Sequence, residues 1–376
     1  MRIALLLRNI DERNGAGIYA QRIARSLMRG DPRNEYVLVF ASEAARERHG
    51  HPAARNLVVE ARSKLLWDQV AVPLALRHER VDVVFSTKHS IPLTPFAPRV
   101  FMLHGADWIA YPENYYAMDR LYHQVALPLY LRSADRVITI SHDSARRVLE
   151  YMPSVAPKLS VVHHGLPPGF APVEDEARRA AMRARHGLPE RFLLYVGQVY
   201  PHKNVGGILK ALSLLRDRIP HRLVMVGRPS HKAERDMELV GRLGLGDRVR
   251  IVGWVADEEL PVLYSLADAF VFPSFFEGFG VPLLEAMACG CPVVTSTGGS
   301  CAEVVGDAGL CVDPADPGAI AAAILRAVTD RELARELRRR GLDRARRFTW
   351  ERTAQATLSI LADAAGRSQA QGAAAA

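Results

Sequence analysis

The feature that most constrains the fold is a regular alternation of short apolar runs with helix-like patterns. The first run, Ile3–Leu7, has the length of one strand and is continuously apolar, as strands buried on both faces are. A loop and a helical pattern containing Ile23 and Leu27 follow it. Further strands are predicted at Tyr36–Phe40, Leu57–Glu60, Val81–Phe85, Val100–Leu103, Arg136–Ile140 and Leu159–Val162. This alternation predicts an α/β fold with a doubly wound parallel sheet, whose ligands gather at the carboxyl ends of the strands.

The second half of the chain has the same pattern, after a stretch rich in proline and glycine at residues 165–172. It opens with an apolar run that ends at Gly197. Its further predicted strands are Leu223–Val226, Val249–Val252, Ala269–Phe272 and Pro292–Thr295. We therefore predict two Rossmann-like domains, residues 1–167 and 168–349, with a hinge at the proline-rich stretch and a last helix in residues 350–376.

Length and charge set limits on function. A chain of 376 residues is long enough for two α/β domains, and its formal charge is +8. An arginine-rich face can meet anionic membrane lipid or a phosphorylated acceptor, whereas no basic run or known module predicts nucleic-acid binding. The apolar stretch before Arg8 is too short for a signal peptide or a span, so we expect a cytoplasmic protein with peripheral contact at the inner face of the membrane. The four cysteines, Cys289, Cys291, Cys301 and Cys311, are expected to be small buried thiols, and no metal site is predicted.

Two glutamates flank a glycine-rich loop after the strand Ala269–Phe272. Glu277 lies in the loop, and Pro282 suits the first turn of a following helix that places Glu285 one turn in. The free amides of residues 278–282 would lie at the positive end of that helix. Two carboxylates beside such donors can accept hydrogen bonds from the vicinal hydroxyls of a sugar and a ribose. From residue types alone, two solvated glutamates are the alternative interpretation.

Three other groups lie where a ligand of these sheets is expected. Lys203 follows the strand that ends at Gly197 and precedes a helix, so it can hold a diphosphate as a point charge. His104 directly follows the strand Val100–Leu103. Gly15 and Gly17 lie between the first strand and the first helix, although their spacing is not the dinucleotide-binding pattern. A surface lysine, a structural histidine and a tight turn are the alternatives.

The run from Glu277 to Val294, together with the later Glu303-Val-Val-Gly-Asp-Ala-Gly, resembles the signature of the retaining, nucleotide-sugar-dependent glycosyltransferases of family four. The resemblance implies the GT-B fold, in which two Rossmann-like doubly wound domains face each other across a cleft and a C-terminal helix crosses back to the first domain. It implies that Glu277 binds hydroxyls of the donor sugar and that Glu285 binds the ribose.

The resemblance extends to the other segments. Pro201-His202-Lys203-Asn204 is similar to the element whose lysine binds the donor diphosphate, and His104 begins a loop whose histidine lies against the donor sugar. Many members carry an arginine where this chain has Gln198, so Arg228 is the candidate to supply that charge. The remaining donor-site residues implied are Gly15 and Gly17 near the phosphates or acceptor, Val255 near the base, and Gly278, Phe279, Gly280 and Val281 beside Glu277.

The implied reaction moves a hexose from a nucleoside-diphosphate sugar to an acceptor hydroxyl in glycan or glycolipid biosynthesis, with retention and without a metal or other cofactor. The loop beginning His-Gly and the Pro-His-Lys-Asn element resemble those of bacterial surface-polysaccharide enzymes, mannosyltransferases among them, which makes GDP-mannose the first candidate donor and a carbohydrate or lipid-linked molecule the acceptor. The catalytic residues implied are His104, Glu277 and Lys203, and a double-displacement role for Glu277 as nucleophile ranks lower. An NDP-sugar epimerase of the same fold and a non-catalytic sugar-nucleotide-binding protein are the alternatives. The base, the sugar, the acceptor and the linkage stay open.

Overall fold

A computed structural model describes residues 1–12, 14–31, 33–112, 115–227 and 234–375 of the chain. It divides into two compact units. The first unit comprises Met1–Gly165 and Thr349–Ala376, and the second comprises Leu166–Phe348. The boundaries expected from the sequence lie one or two residues further along the chain than these.

Within the described residues, the first unit contains a parallel sheet of seven strands in the order β3-β2-β1-β4-β5-β6-β7. The strands are β1 (Arg2–Leu6), β2 (Glu35–Phe40), β3 (Arg55–Val58), β4 (Val83–Ser86), β5 (Arg99–Leu103), β6 (Arg136–Thr139) and β7 (Leu159–Val161). The helices are α1 (Gly15–Gly30), α2 (Glu43–His49), α3 (Lys64–Leu66), α4 (Val72–Leu76), α5 (Asp107–Ala110), α6 (Ala117–Ser133), α7 (His142–Tyr151) and, at the end of the chain, α16 (Trp350–Ala375). A π-helical turn, Trp67–Ala71, joins α3 to α4 in one continuous helical segment.

The described part of the second unit contains six parallel strands in the order β10-β9-β8-β11-β12-β13. They are β8 (Phe192–Val196), β9 (Arg222–Val226), β10 (Val249–Gly253), β11 (Ala269–Phe272), β12 (Val293–Ser296) and β13 (Gly309–Val312). The helices are α8 (Glu176–His186), α9 (Val205–Leu214), α10 (Glu234–Arg242), α11 (Leu260–Leu266), α12 (Val281–Ala288), α13 (Cys301–Val305), α14 (Pro317–Thr329) and α15 (Arg331–Ala345).

Both sheets confirm the predicted doubly wound topology. In each sheet the strand order reverses between the first and fourth strands of the unit, that is, between β1 and β4 and between β8 and β11. Such a switch point leaves a crevice at the carboxyl ends of the two strands, where ligands of this architecture bind. The central strands are fully buried, since helices cover both faces of the sheet, which is why their sequences are continuously apolar.

The sequence missed one strand and displaced two others, one of which is β4, at Val83–Ser86 instead of the predicted Val81–Phe85. β13 is a short edge strand that pairs with β12, and its side chains are only half-buried, so its apolar signal is weak. β3 begins at Arg55 and ends at Val58, about two residues before the predicted Leu57–Glu60. Cys289, Cys291 and Cys301 are buried as expected, whereas Cys311 is only half-buried. Burial raises the pKa of the Cys301 thiol to about 12.

The chain returns to the first unit in α16, as predicted. α16 packs against α1, and Nε of Arg136, at the start of β6, donates to a carboxylate oxygen of Asp363 at 2.8 Å. Trp350, its first residue, is buried. Among the described helices, none is both long enough and apolar enough to cross a bilayer.

Candidate active site

Lys203 is fixed in place by the residue that follows it. Asn204 has a left-handed backbone (φ +56°), which asparagine tolerates better than most residues, and its side chain caps α9 by accepting from the amide of Gly207 at 3.1 Å. Its Nδ2 donates to the carbonyl oxygens of Pro273 at 3.0 Å and Pro314 at 2.7 Å. These three contacts place the turn that carries Lys203 at the carboxyl end of β8.

The structure brings Lys203 and Glu277 together at the switch point of the second sheet. Lys203 Nζ lies 2.6 Å from Glu277 Oε1, and Ser274 Oγ donates to the same oxygen at 3.0 Å. The lysine and glutamate side chains are 17% and 12% exposed, and the ammonium lies 5.0 Å from the centre of the Phe272 ring. The result is a largely buried, charge-assisted hydrogen bond that holds both groups in one orientation.

The loop around Glu277 is packed against the start of α13. A Cβ atom on Gly299, whose φ is +59°, would lie 2.8 Å from the amide nitrogen of Glu277. Ser300 Oγ donates to the Glu277 carbonyl at 3.1 Å. The Gly298-Gly299-Ser300 segment therefore supports the loop by close backbone approach, for which glycine is needed.

Glu285 is held by a separate partner. Gly280 (φ +96°) precedes α12, Pro282 occupies its first turn, and Glu285 lies one turn in, as predicted. The hydroxyl of Tyr264 donates to Glu285 Oε2 at 2.9 Å, and burial, followed by the nearby carboxylate, raises the pKa of Tyr264 well above its ordinary value.

The other predicted residues of this loop have different surroundings. Gly278 and Phe279 connect Glu277 to Gly280, and Val281 is the first residue of α12. The Phe279 side chain is buried and packs edge-on against Phe348. The Phe279 side chain therefore belongs to the core of the second unit and anchors the loop to that core.

A hollow of about 300 Å³ lies at the carboxyl ends of β8, β9 and β10. Its lining is mostly apolar and includes two predicted residues, Gln198 and Val255, together with Gly197, Gly227, Trp254 and Asp257. Trp254 is 70% exposed, while Val255 is buried. Arg228, the predicted substitute for the missing arginine, lies outside the described residues.

The Lys203–Glu277 pair lies beside this hollow. A Cβ atom on Gly197, which lines the hollow, would lie 3.9 Å from Cδ of Lys203. A Cβ atom on Gly227 would lie 2.2 Å from the carbonyl oxygen of Gly197, so the two strand ends approach as closely as glycine permits. One ligand could thus occupy the hollow and reach Lys203.

His104 lies at the end of β5 in the first unit. Its Nε2 lies 2.8 Å from the carbonyl oxygen of Thr87, and burial lowers its pKa to about 4, so the ring is neutral at pH 7 and carries its proton on Nε2. Nδ1 is then an acceptor, and it has no hydrogen-bond partner among the described residues. Tyr19 and His89 pack against the ring, with centroids 4.9 Å and 5.6 Å away.

Gly15 and Gly17, the two glycines predicted to lie near a ligand, have different surroundings. Asn14 caps α1 by accepting from the amide of Gly17 at 3.0 Å. A Cβ atom on Gly17 would lie only 2.0 Å from the carbonyl oxygen of Glu12, whereas one on Gly15 would meet nothing within 4 Å. Gly17 therefore lets α1 approach the loop after β1, and only Gly15 has open space around it.

A cationic group in the first unit was not predicted. Lys64 Nζ donates to the hydroxyl of Tyr122 at 2.6 Å. Burial lowers the pKa of Lys64 to about 8, Asp68 opposes this, and Arg8 and Lys88 lower it further. We call Lys64, Tyr122, Asp68, Arg8 and Lys88 the Lys64 cluster. Lys88 is the second residue after the end of β4, so the rule that selected His104, its position at the carboxyl end of a strand, could also have found Lys88. Lys64 lies on a helix, where no such rule applies.

Sequence comparisons match both units to families. The family described as "Glycosyltransferase Family 4" matches residues 13–170, and "Glycosyl transferases group 1" matches residues 178–344. The chain is 34% identical over 263 residues to the O-antigen chain mannosyltransferase B of Escherichia coli, covering 69% of each chain. It is 32% identical over 226 residues to the E. coli serotype-specific mannosyltransferase WbdA, of which it spans only 28%. It is also 33% identical over 247 residues to the D-inositol 3-phosphate glycosyltransferase of Salinispora tropica, covering 61% of this chain and 51% of that one.

Solved structures show the same fold. Sucrose-phosphate synthase from Thermosynechococcus elongatus superposes with a TM-score of 0.74 at 26% identity, and each chain is fully covered. The Anabaena protein Alr3699/HepE, solved in complex with UDP-glucose, superposes with a TM-score of 0.75 at 20% identity, covering 96% of this chain and 100% of that one.

Proposed function

Because the chain belongs to the glycosyltransferases of group 1 and family 4, we propose that it transfers mannose from GDP-mannose to an acceptor hydroxyl, with retention at the anomeric carbon. Its place among glycosyltransferases of polysaccharide biosynthesis rests on the O-antigen mannosyltransferase relative. The choice of sugar, base and stereochemistry is the proposal.

The contact between Lys203 and Glu277 beside the hollow is the observation that carries it. Negative charge develops on the diphosphate as the bond from the anomeric carbon to the phosphate oxygen breaks, and a fixed ammonium stabilises that charge most where water is excluded. Lys203 takes this role, and Glu277, oriented by Ser274, accepts hydrogen bonds from the sugar hydroxyls. Since Lys203 and the amides at the start of α12 supply positive charge, the proposed reaction uses no metal.

The hollow is assigned to the base of the donor nucleotide, and Glu285 is assigned to its ribose. The mostly apolar hollow has the character of a base pocket, with Val255 on its wall and Trp254 at its edge. Glu285 is assigned to the ribose hydroxyls, held in place by Tyr264. The UDP-glucose complex of Alr3699/HepE, a protein of the same fold, is consistent with a nucleotide sugar as donor.

The acceptor is assigned to the first unit. The new bond joins the acceptor oxygen to the anomeric carbon on the face that the diphosphate leaves, and the acceptor proton passes to the departing phosphate oxygen. Neutral His104 is assigned to orienting the sugar near the reacting carbon. The Lys64 cluster suits an acceptor that carries phosphate, such as a lipid-linked sugar, and one relative is named for a phosphorylated acceptor.

The test of donor chemistry uses two variants and a matched control. Lys203→Met and Glu277→Gln should each lower kcat by about 100-fold or more, because each removes a group that stabilises the transition state. Lys210→Met, which changes an exposed lysine on α9, should stay within about twofold of wild type. Release of GDP from GDP-mannose, with and without a mannosylated lipid-diphosphate acceptor, gives the rates, and thermal unfolding checks the fold.

The outcomes separate the alternatives. A transferase releases nucleoside diphosphate only when acceptor is present, an epimerase alters the sugar without acceptor, and a non-catalytic binder does neither. The true donor should also raise the unfolding midpoint more than other nucleotide sugars, since binding at about 100 times Kd stabilises the folded state by about 2.7 kcal/mol. Wild-type rates in Lys203→Met would refute the assignment of that residue.

A further inference from the structure

Helix α6 exposes an apolar stripe to solvent. Met118, Leu121, Val125 and Leu129 are 75%, 52%, 56% and 45% exposed, and their spacing of three and four residues places them on one face. The other side of the helix is also apolar: Leu127, Tyr130 and Leu131 are buried in the core of the first unit. A helix that only covered the core would carry polar residues on its outer face.

The neighbouring helical segment, Lys64–Leu76, has the same property. Leu65, Leu66, Val70 and Leu74 are 65%, 47%, 48% and 58% exposed. Trp67, Val72 and Leu76, on its inner side, are buried in the core. Two adjoining segments of the fold therefore leave large apolar side chains uncovered.

The two stripes form one surface. Lys64 Nζ contacts the hydroxyl of Tyr122 at 2.6 Å and lies 4.0 Å from the centre of its ring, which joins the helical segment to α6. Leu65 follows Lys64 directly, and Leu121 precedes Tyr122. We call the eight exposed side chains on these two segments the apolar face; its members are Leu65, Leu66, Val70, Leu74, Met118, Leu121, Val125 and Leu129. They make up half of the sixteen exposed large apolar residues in the described part of the chain, a concentration typical of an interaction surface.

The charges around the apolar face indicate what covers it. Exposed arginines lie near both ends of both segments: Arg62, Arg77, Arg120 and Arg132. None of the four pairs with a carboxylate among the residues that the structure describes. Of the acidic residues on the two segments, Asp68 is buried and Asp119, in the first turn of α6, is exposed. Apolar side chains framed by unpaired arginines suit a membrane with anionic headgroups, since the former enter the acyl boundary and the latter contact phosphate. A second copy of the chain would instead bring like charges together across a twofold axis.

We propose that the first unit docks on anionic membrane through the apolar face. This proposal stands on the exposed side chains and their charges and does not depend on the reaction. If the proposed function also holds, docking brings a lipid-linked acceptor to the Lys64 cluster, because Lys64 and Tyr122 lie at the junction of the two stripes.

Co-sedimentation with vesicles tests the proposal. The full chain should bind vesicles containing about one-third phosphatidylglycerol, bind pure phosphatidylcholine much less, and lose binding as salt screens the arginines. Leu121→Gln with Val125→Gln should weaken binding at least about tenfold, because two apolar side chains no longer enter the bilayer. Leu214→Gln, at a 57% exposed leucine of the second unit, is the matched control and should bind like wild type.

A second pair of variants separates charge from apolar contact. Arg120→Gln with Arg132→Gln should reduce binding to phosphatidylglycerol vesicles and leave weak binding to phosphatidylcholine unchanged. Since all four positions are exposed, unfolding midpoints should match wild type. Absence of binding to phosphatidylglycerol vesicles, equal binding by the Leu121 and Val125 variant, or a concentration-dependent dimer that this variant abolishes would each overturn the proposal.

Discussion

In the second unit, the contacts of single side chains fix the positions of the candidate site residues in more detail than sequence spacing can predict. Lys203 and Glu277 were predicted to share a site because each follows a strand, and the neighbouring positions of β8 and β11 explain why they meet. Tyr264 and Ser274, which hold the two glutamates, carry no sequence signal, because a tyrosine in an apolar helix is indistinguishable from an ordinary core residue.

Tyr264→Phe tests the ribose assignment of Glu285. Loss of the hydroxyl removes one hydrogen bond to Glu285 Oε2 without changing the shape of the core, so we expect KM for the donor to rise about three- to tenfold with kcat nearly unchanged. Steady-state kinetics measures both parameters. Tyr36→Phe, which removes a hydroxyl that donates to Leu27 in the first unit at 3.2 Å, is the control for loss of a buried hydrogen bond. A fall in kcat alone would argue against ground-state binding by Glu285.

Among the elements, α1 shows most clearly what a pattern can and cannot predict. The strand, glycine loop and helix were predicted from the sequence, but the roles of the two glycines depend on a carbonyl oxygen in the loop after β1. Gly17 lies where a Cβ would overlap the Glu12 carbonyl, and Gly15 does not. The spacing of the glycines in the sequence gives no information on how closely α1 approaches the Glu12 carbonyl oxygen.

Gly17→Ala should destabilise the first unit by about 1–3 kcal/mol, because α1 must move away from the loop. Gly15→Ala should be neutral or stabilising by up to about 1 kcal/mol, since it has room and lowers the entropy of the unfolded chain. Chemical denaturation of the two variants measures the difference. Equal stability of both would contradict the close packing of α1. If Gly15 instead faces a ligand, its alanine variant will lose activity at unchanged stability.

At the scale of the whole molecule, the alternating pattern predicted both sheets, and the proline-rich stretch predicted the division into two units to within two residues. What it could not predict is which distant residues meet. His89, His104 and His164 come from the ends of two strands and from the last residues before the unit boundary, yet they gather around Tyr19 and one another. Such a cluster depends on strand order, which the periodicity of a run does not contain.

These histidines make stability depend on pH. Burial lowers the pKa of His104 to about 4 and that of His164 to about 3, and it lowers that of His89 as well. Since the unfolded chain takes up protons near pH 6.5 and the folded protein does not, stability is full above that pH and is lost as the pH falls from 6.5 toward 4. The loss is at most about 1.4 kcal/mol per pH unit for each histidine.

Thermal unfolding between pH 7.5 and pH 5 measures this loss. Asp68 and Asp236, whose pKa burial raises, act in the opposite direction, so the comparison with a variant is decisive. His164→Asn should show a shallower decline than wild type. An identical decline would mean that His164 is protonated in the folded protein.

The way Asn204 anchors the turn that carries Lys203 has an evolutionary consequence. Two of its partners, Pro273 and Pro314, contribute only main-chain oxygens, which every amino acid possesses. Those positions can therefore drift in identity while the anchor survives, whereas position 204 needs both a carboxamide and tolerance of a left-handed backbone. Diversification of the surrounding loops is thus open to this chain without disturbing the position of Lys203.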